Sequence, residues 1–272
     1  MTVQSIVDAA PKTPSAAIPL LDVRGITLRF GGIVALDRVA FDVAEGHIVG
    51  LIGPNGAGKT SLFNCLSRLY RPQSGDILFA GKSLLAQAAQ KVASVGIGRT
   101  FQNLALFESM TVLENVEVGA HCRGGSGFVA DAIRLPSTRR EETALERSAM
   151  EMLALVGLDS IAGRPINTLP FGTRKKVELA RALAAKPRLL LLDEPASGLN
   201  HDELAALGTL IRSIRDRLGI TVLLVEHHMS FVMGLSDRVV ALDFGHVIAH
   251  GTPDEVRADP EVARAYLGPA LQ

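Results

Sequence analysis

The period of the hydrophobic positions changes several times along this chain, and each change predicts an element. Leu21 to Phe30 and Ile33 to Val43 flank Gly31-Gly32, and the second run alternates through Val39, Phe41 and Val43, so the pattern predicts two strands joined by a glycine turn. Ile48-Val49-Gly50-Leu51-Ile52 is a continuous apolar run of strand length, after which Leu62, Phe63, Leu66, Leu69 and Tyr70 recur at helical spacing until Pro72. Asp76 to Phe79 predicts another short strand between Ser74-Gly75 and Ala80-Gly81, and these outer strands carry antiparallel signals. Thr111-Val112-Leu113-Glu114 fits a capping box, which starts a helix at Thr111. Gly124-Gly125-Ser126-Gly127 interrupts it, and a second helix follows with Leu145, Met152, Leu153 and Val156 on one face. The stretch from about 103 to 170 therefore reads as a helical insertion in an α/β core. Leu189 to Leu192 and Ile220 to Val225 are buried strands, Asp243-Phe244-Gly245 is a turn between two short strands, and Pro253 to Leu267 is a surface helix.

Between the Ile48–Ile52 strand and the helix after it stands Gly53-Pro54-Asn55-Gly56-Ala57-Gly58-Lys59-Thr60-Ser61. Two glycines five apart followed by Lys and Thr, with a strand before and a helix after, form a phosphate-binding loop. The glycines allow backbone conformations closed to residues with a Cβ, so successive N–H groups can turn toward phosphate oxygens. Lys59 adds a charge on a long stem, the helix beginning near it points its positive end at the same anion, and the Thr60 hydroxyl is a ligand for Mg²⁺.

A second informative segment is Arg188-Leu189-Leu190-Leu191-Leu192-Asp193-Glu194-Pro195. Four apolar residues ending in two carboxylates describe a buried parallel strand that delivers acids to its C-terminal edge, where ligands collect. Asp193 is placed for the Mg²⁺ shell and Glu194 for orienting or deprotonating an attacking water. The next strand ends in Glu226-His227-His228, where a histidine either contacts a γ-phosphate or faces solvent. Phe30, just before the double glycine, is the aromatic available to stack on adenine; its spacing alone also fits a buried strand residue.

Charge and composition narrow the classes. The chain has 272 residues with 28 basic and 28 acidic side chains, a balance that argues against a mainly electrostatic nucleic-acid binder, and no nucleic-acid partner is expected. Its two cysteines, Cys65 and Cys122, have neither metal-type nor redox-type spacing; Cys65 reads as core, and reduced cytosolic conditions fit. No run reaches the ~20 apolar residues that span a bilayer. Residues 1–19 hold three prolines and neither a basic start nor a long apolar centre, and read as a disordered leader preceding an ATP-binding domain over 20–272.

The order of phosphate loop, Gln102, helical insertion, Leu-x-x-Gly before a helix, Asp193-Glu194, Ser197-Gly198-Leu199-Asn200 and His227 resembles the ATP-binding subunits of ABC transporters across nearly the whole chain. More narrowly, Arg99-Thr100-Phe101-Gln102, Met110-Thr111-Val112-Leu113-Glu114-Asn115, Glu226-His227 and Ala265-Tyr266-Leu267-Gly268 resemble the ATPases of branched-chain amino-acid importers. The resemblance implies an α/β P-loop NTPase (RecA-like) core with an antiparallel β subdomain and an inserted helical subdomain, and two such domains closing head to tail around two ATP molecules. It implies Phe30 as adenine platform, Gln102 as a link between Mg²⁺ or water and the membrane domains, Glu194 as catalytic base and His227 as γ-phosphate switch. Membrane-spanning permease subunits and, indirectly, a periplasmic or extracellular solute-binding protein are the implied partners, at the cytoplasmic face of the membrane. A lipid or lipopolysaccharide exporter ATPase shares every catalytic feature, and a non-transport ABC ATPase is a further alternative, although the chain shows one phosphate loop and no sustained heptads.

The signature segment departs from the family's commonest Leu-Ser-Gly-Gly-Gln: it is Leu169-Pro170-Phe171-Gly172-Thr173. Pro170 has neither hydroxyl nor N–H and cannot donate to a phosphate. Gly172 and the helix N-terminus, with Thr173 as cap, remain to face the anion, and Arg174, Lys175 and Lys176 read as a solvated basic turn. A full phosphate-loop half-site beside a weakened signature favours a heterodimer with a second ABC ATPase chain over a homodimer. Asn200, where the family usually has Asp, and His228 are milder departures.

Overall fold

The computed structural model describes residues 18–101, 104–121 and 136–267, with side chains from 143 onward in the helix that opens at Pro136. Gln102, Cys122, the glycine run 124–127 and residues 1–17 lie outside the described residues.

Strands β1 (Leu21–Phe30), β2 (Ile33–Val43), β4 (Ser74–Phe79) and β5 (Lys82–Ser83) form an antiparallel sheet in the order β2-β1-β4-β5. Strands β3 (Ile48–Ile52), β6 (Ile97–Arg99), β7 (Leu189–Asp193), β8 (Thr221–Val225), β9 (Arg238–Asp243) and β10 (His246–Gly251) form a second sheet in the order β10-β9-β3-β8-β7-β6. The β9-β3-β8-β7-β6 pairs are parallel, and β10 closes the edge antiparallel to β9 around the expected Asp243–Gly245 turn.

The continuous apolar runs of β3, β7 and β8 arise because both faces of this sheet are covered. Leu189, Leu191, Leu223 and Val225 pack toward the antiparallel sheet and helix α1 (Lys59–Leu66). Leu190, Leu192, Val222 and Leu224 pack on the opposite side with helices α2 (Val112–Ala120), α3 (Pro136–Leu155) and α4 (Phe171–Ala184). Alternate side chains of one strand thus belong to two cores. The face predicted for α3 is correct: Met152, Leu153 and Val156 are buried and Leu145 packs against them. The capping box at Thr111 forms as predicted, with Glu114 N–H donating to the Thr111 hydroxyl and Glu114 accepting from Thr111 N–H. Helices α5 (His201–Leu218), α6 (Met229–Leu235), α7 (Pro253–Ala258) and α8 (Pro260–Leu267) follow.

Two predicted helices end earlier than their apolar spacing suggested. Helix α1 stops at Leu66 because Arg68 turns to φ 60°, so that its own N–H donates to Cys65 O and Tyr70 N–H folds back onto Asn64 O, while the Ser67 hydroxyl donates to Phe63 O. Leu69 and Tyr70 are consequently exposed rather than on the helix's buried face. The single surface helix expected over Pro253–Leu267 is two helices, since Asp259 leaves helical φ/ψ before Pro260, whose ring disfavours α geometry in the preceding residue.

Candidate functional site

Parallel register brings four strand ends to one edge. Asp193 lies opposite Val225, Leu51 opposite Val225, and Arg99 opposite Leu191, so the chain leaves β3, β6, β7 and β8 side by side. The phosphate loop follows β3, Glu194 follows β7 and His227 follows β8.

Gly53 and Gly58 are required in the loop. Gly53 has φ 151° and Gly58 φ 103°; a Cβ on Gly53 would stand 2.2 Å from Leu242 O, and one on Gly58 2.6 Å from Ala35 O. Ala57 is buried between them and accepts through its carbonyl from Gly245 N–H, so the β9–β10 turn braces the loop. Pro54 and Ser61 are partly exposed, while Asn55, Gly56 and Thr60 face outward. Lys59 is 6% exposed and its ammonium donates to Gly53 O at 2.6 Å and Pro54 O at 2.9 Å. Burial pulls its pKa below the usual lysine value, a pull partly offset by the charge of Glu194. Helix α1 opens with no side-chain cap and no acidic residue in its first turn, which keeps its N-terminus electropositive.

Asp193 is almost fully buried and pairs with Arg99, Nη2 to Oδ2 at 2.7 Å. Arg99 Nη1 donates to Asn64 Oδ1 and Ser67 Oγ of the α1 region, both at 2.9 Å. Thr100 closes the same strand end, its hydroxyl accepting from Asp193 N–H. Glu194 holds φ 49°, a left-handed conformation uncommon for a residue with a long side chain, and its N–H donates to Val225 O at 3.0 Å. This turn aims its carboxylate at His227, whose Nε2 lies 2.6 Å from Glu194 Oε1. A groove lined by Thr100, Phe101, Gly172, Lys175, Glu194 and Leu199 opens beside the pair.

Phe30 is 45% exposed at the end of β1 and meets the Tyr70 ring edge-on at 5.1 Å, so the buried-strand alternative does not hold. Gly172 sits in the first turn of α4, where a Cβ would come within 3.2 Å of Glu203 Oε1. Thr173 is not the cap of that helix. Pro170 occupies the N-cap position and the helix opens at Phe171, because a proline's fixed φ is tolerated at a helix start. The basic run is likewise helical rather than a solvated turn: Lys175 is half-buried and donates to Glu194 O and Pro195 O, and Arg174 donates to Leu169 O and Asn167 O. Asn200 makes the capping box of α5 with Glu203, a role that Asn fills as well as Asp.

Three residues to which the sequence assigned no role hold this edge together. Glu226 is 1% exposed and accepts from Ala196 N–H at 2.5 Å and His227 N–H at 3.1 Å, tying the segment after β7 to the segment after β8. Glu178, on α4, accepts from Phe101 N–H at 3.0 Å; burial raises its pKa, against the lowering effect of that hydrogen bond. Arg99 is the third. Each sits inside an apolar or family-like run, and nothing in its spacing names a partner 30, 77 or 94 residues away.

Comparison with known proteins agrees with this geometry. Residues 36–197 match the family described as ABC transporter, and residues 246–268 match the family described as branched-chain amino acid ATP-binding cassette transporter. The chain is 42% identical over 252 residues to the high-affinity branched-chain amino acid transport ATP-binding protein BraF of Pseudomonas aeruginosa, covering 93% of this chain and 99% of that protein. It is 43% identical over 253 residues to LivG of Escherichia coli, a protein of the same description, with the same coverage. A solved ATP-binding cassette of an ABC transporter in its ADP conformation superposes with a TM-score of 0.80 at 29% identity, covering 93% of this chain and all of the other. The chain therefore belongs to the ABC transporter family, as one of its ATP-binding, ATP-hydrolysing subunits.

Proposed function

We propose that this ATPase powers a membrane importer of branched-chain amino acids, sitting peripherally at the cytoplasmic face against membrane-spanning permease subunits that a solute-binding protein supplies. The observation that carries this reading is the 42–43% identity to BraF and LivG along essentially their whole length. Among the described residues no helix is long and apolar enough to cross a membrane, so the transport path is assigned to other subunits.

Within the site, Gly53 to Ser61 cradle the phosphates and Lys59 exchanges its two carbonyl partners for phosphate oxygens. Phe30, half exposed beside Tyr70, offers a ring face to adenine. Thr60 and Asp193 are hard oxygen donors on facing elements of one edge, a set that suits Mg²⁺, which takes few protein ligands and completes its shell with phosphates and water. Gln102, three residues beyond Arg99, is the further ligand proposed from the sequence. Bound there, Mg²⁺ would neutralise charge developing on the phosphates. Glu194 acts as general base on water, and His227 holds its carboxylate and senses the γ-phosphate. Gly172 and the uncapped N-terminus of α4 face the ATP bound by a second ATPase chain, and because Pro170 offers no donor, that chain is a different subunit with an intact signature.

Mg-ATP hydrolysis by the isolated chain beside Glu194→Gln, with solution mass measured in ATP, tests the site. The expected results are loss of hydrolysis in the variant with ATP binding retained, slow turnover of the unmodified chain alone, and gain on adding its partner ATPase. Rapid turnover by the isolated chain, equal to that of the assembled transporter, would sink the heterodimer. Leucine, isoleucine and valine uptake by vesicles holding the assembled transporter tests the substrate; lipid-stimulated hydrolysis without amino-acid uptake would instead identify an exporter.

A further inference from the structure

Arg99 is held more firmly than a spare charge at a strand end requires. Its side chain is 9% exposed, its guanidinium reaches Asp193 Oδ2, Asn64 Oδ1 and Ser67 Oγ, and it lies 5.6 Å from the Phe63 ring centre and 5.0 Å from that of Phe101. Its Nε is buried with no hydrogen-bond partner among the described residues. A buried N–H is seldom left unmatched, and here it goes unmatched while Nη1 makes two hydrogen bonds and Nη2 one, to Asp193. The guanidinium thus joins the helix after the phosphate loop, the carboxylate at the end of β7 and the aromatic that follows β6.

We infer that Arg99 is a positioning residue of the ATP site, a built-in cation that shares the Asp193 carboxylate with the metal ion of the nucleotide and so sets the site's Mg²⁺ demand. The inference rests on the ATP-site reading given above. Two effects of the guanidinium oppose each other at Asp193. By hydrogen bonding to Oδ2 it fixes the plane of the carboxylate, which aids a ligand atom; as a fixed positive charge a few ångströms away, it repels a divalent cation. Charge repulsion at this range in a buried setting exceeds the entropy of orienting one carboxylate, so competition wins. Arg99 therefore weakens the hold on the metal and keeps Asp193 in one geometry. The Phe101 ring, stacked on the same guanidinium, reports the exchange to the segment that leads toward Gln102.

The test measures binding of a fluorescent ATP analogue as Mg²⁺ is titrated, on the unmodified chain, Arg99→Lys and Arg99→Met. Arg99→Met is expected to lower the half-saturating Mg²⁺ roughly tenfold, through loss of the competing charge. Its turnover falls at saturating Mg²⁺, because Asp193 is no longer held. Arg99→Lys keeps the charge and stays within about twofold of the unmodified chain in Mg²⁺ demand, so the test survives if Arg99→Met does not fold. The chain has no tryptophan, so Phe101→Trp adds a single emission signal. That signal shifts when Mg²⁺ and nucleotide are added to a chain carrying Arg99, and stays unchanged when Arg99→Met is combined with it. An unchanged or increased Mg²⁺ demand in Arg99→Met, or a tenfold lower demand in Arg99→Lys, overturns the inference while the site reading stands. If Mg²⁺ leaves nucleotide binding by the unmodified chain unaltered, the site reading itself fails and the inference with it.

Discussion

The hydroxyl of Tyr266 accepts a hydrogen bond from Gly53 N–H at 2.7 Å, so the last described helix is tied to the first residue of the phosphate loop across 213 positions of sequence. Only glycine fits at position 53, since a Cβ there would strike Leu242 O, and Tyr266 holds the N–H of that residue in place. Tyr266→Phe removes this acceptor and little else. It should cost about 1 kcal/mol of stability and weaken ATP binding several-fold, read by thermal unfolding and nucleotide titration. Equal affinity in the two proteins would show that the tie braces the helix alone.

His227→Ala deletes the partner 2.6 Å from the Glu194 carboxylate. Glu194 then keeps its backbone turn but loses its aim, so kcat should fall roughly a hundredfold while ATP binding changes little. Steady-state kinetics beside equilibrium binding separate the two effects. A loss confined to binding would assign His227 to phosphate contact only.

Glu226→Ala leaves the buried Ala196 N–H and the part-buried His227 N–H without their acceptor. The expected destabilisation is about 3 kcal/mol, or roughly 8 °C in Tm, with hydrolysis lost in parallel because both strand ends loosen. A variant of unchanged stability and full activity would remove Glu226 from the frame of the site.

Glu178→Gln keeps an oxygen for Phe101 N–H and removes an ionisable group that burial disfavours as a charge. Its pKa is raised in the folded chain above the ordinary value of 4.5, so the folded chain binds this proton more tightly than the unfolded one. The wild-type carboxyl therefore contributes most in acid, and its contribution declines as pH rises through the folded value. The Tm of Glu178→Gln should gain on wild type as pH rises from the ordinary value of 4.5 through the higher folded one. A gap that stays flat across that range would contradict the raised value.

Much of this molecule was legible before folding. The phosphate loop, the capping box at Thr111, and the strands ending at Ile52, Asp193 and Val225 follow from local chemistry: glycine's freedom of φ, a hydroxyl three residues before a glutamate, and apolar runs too short for a membrane. Such signals record how a residue will be buried or capped, and they operate over one turn or one strand. Where helices stopped was less legible from apolar spacing, which registers neither the left-handed turn at Arg68 nor the extended Asp259 that Pro260 imposes.

Tertiary structure alone decided which polar groups meet. Arg99 finds Asp193, Glu178 finds the Phe101 N–H, Glu226 finds Ala196 and Tyr266 finds Gly53, because parallel register and the docking of α4 and α8 set strand ends and helix faces together. A buried charge must have a partner, yet its own sequence neighbourhood carries only the requirement and not the partner's position. The sequence thus determined the kind of chemistry and the residues able to perform it, and the packing of two sheets and their helices determined how those residues are held.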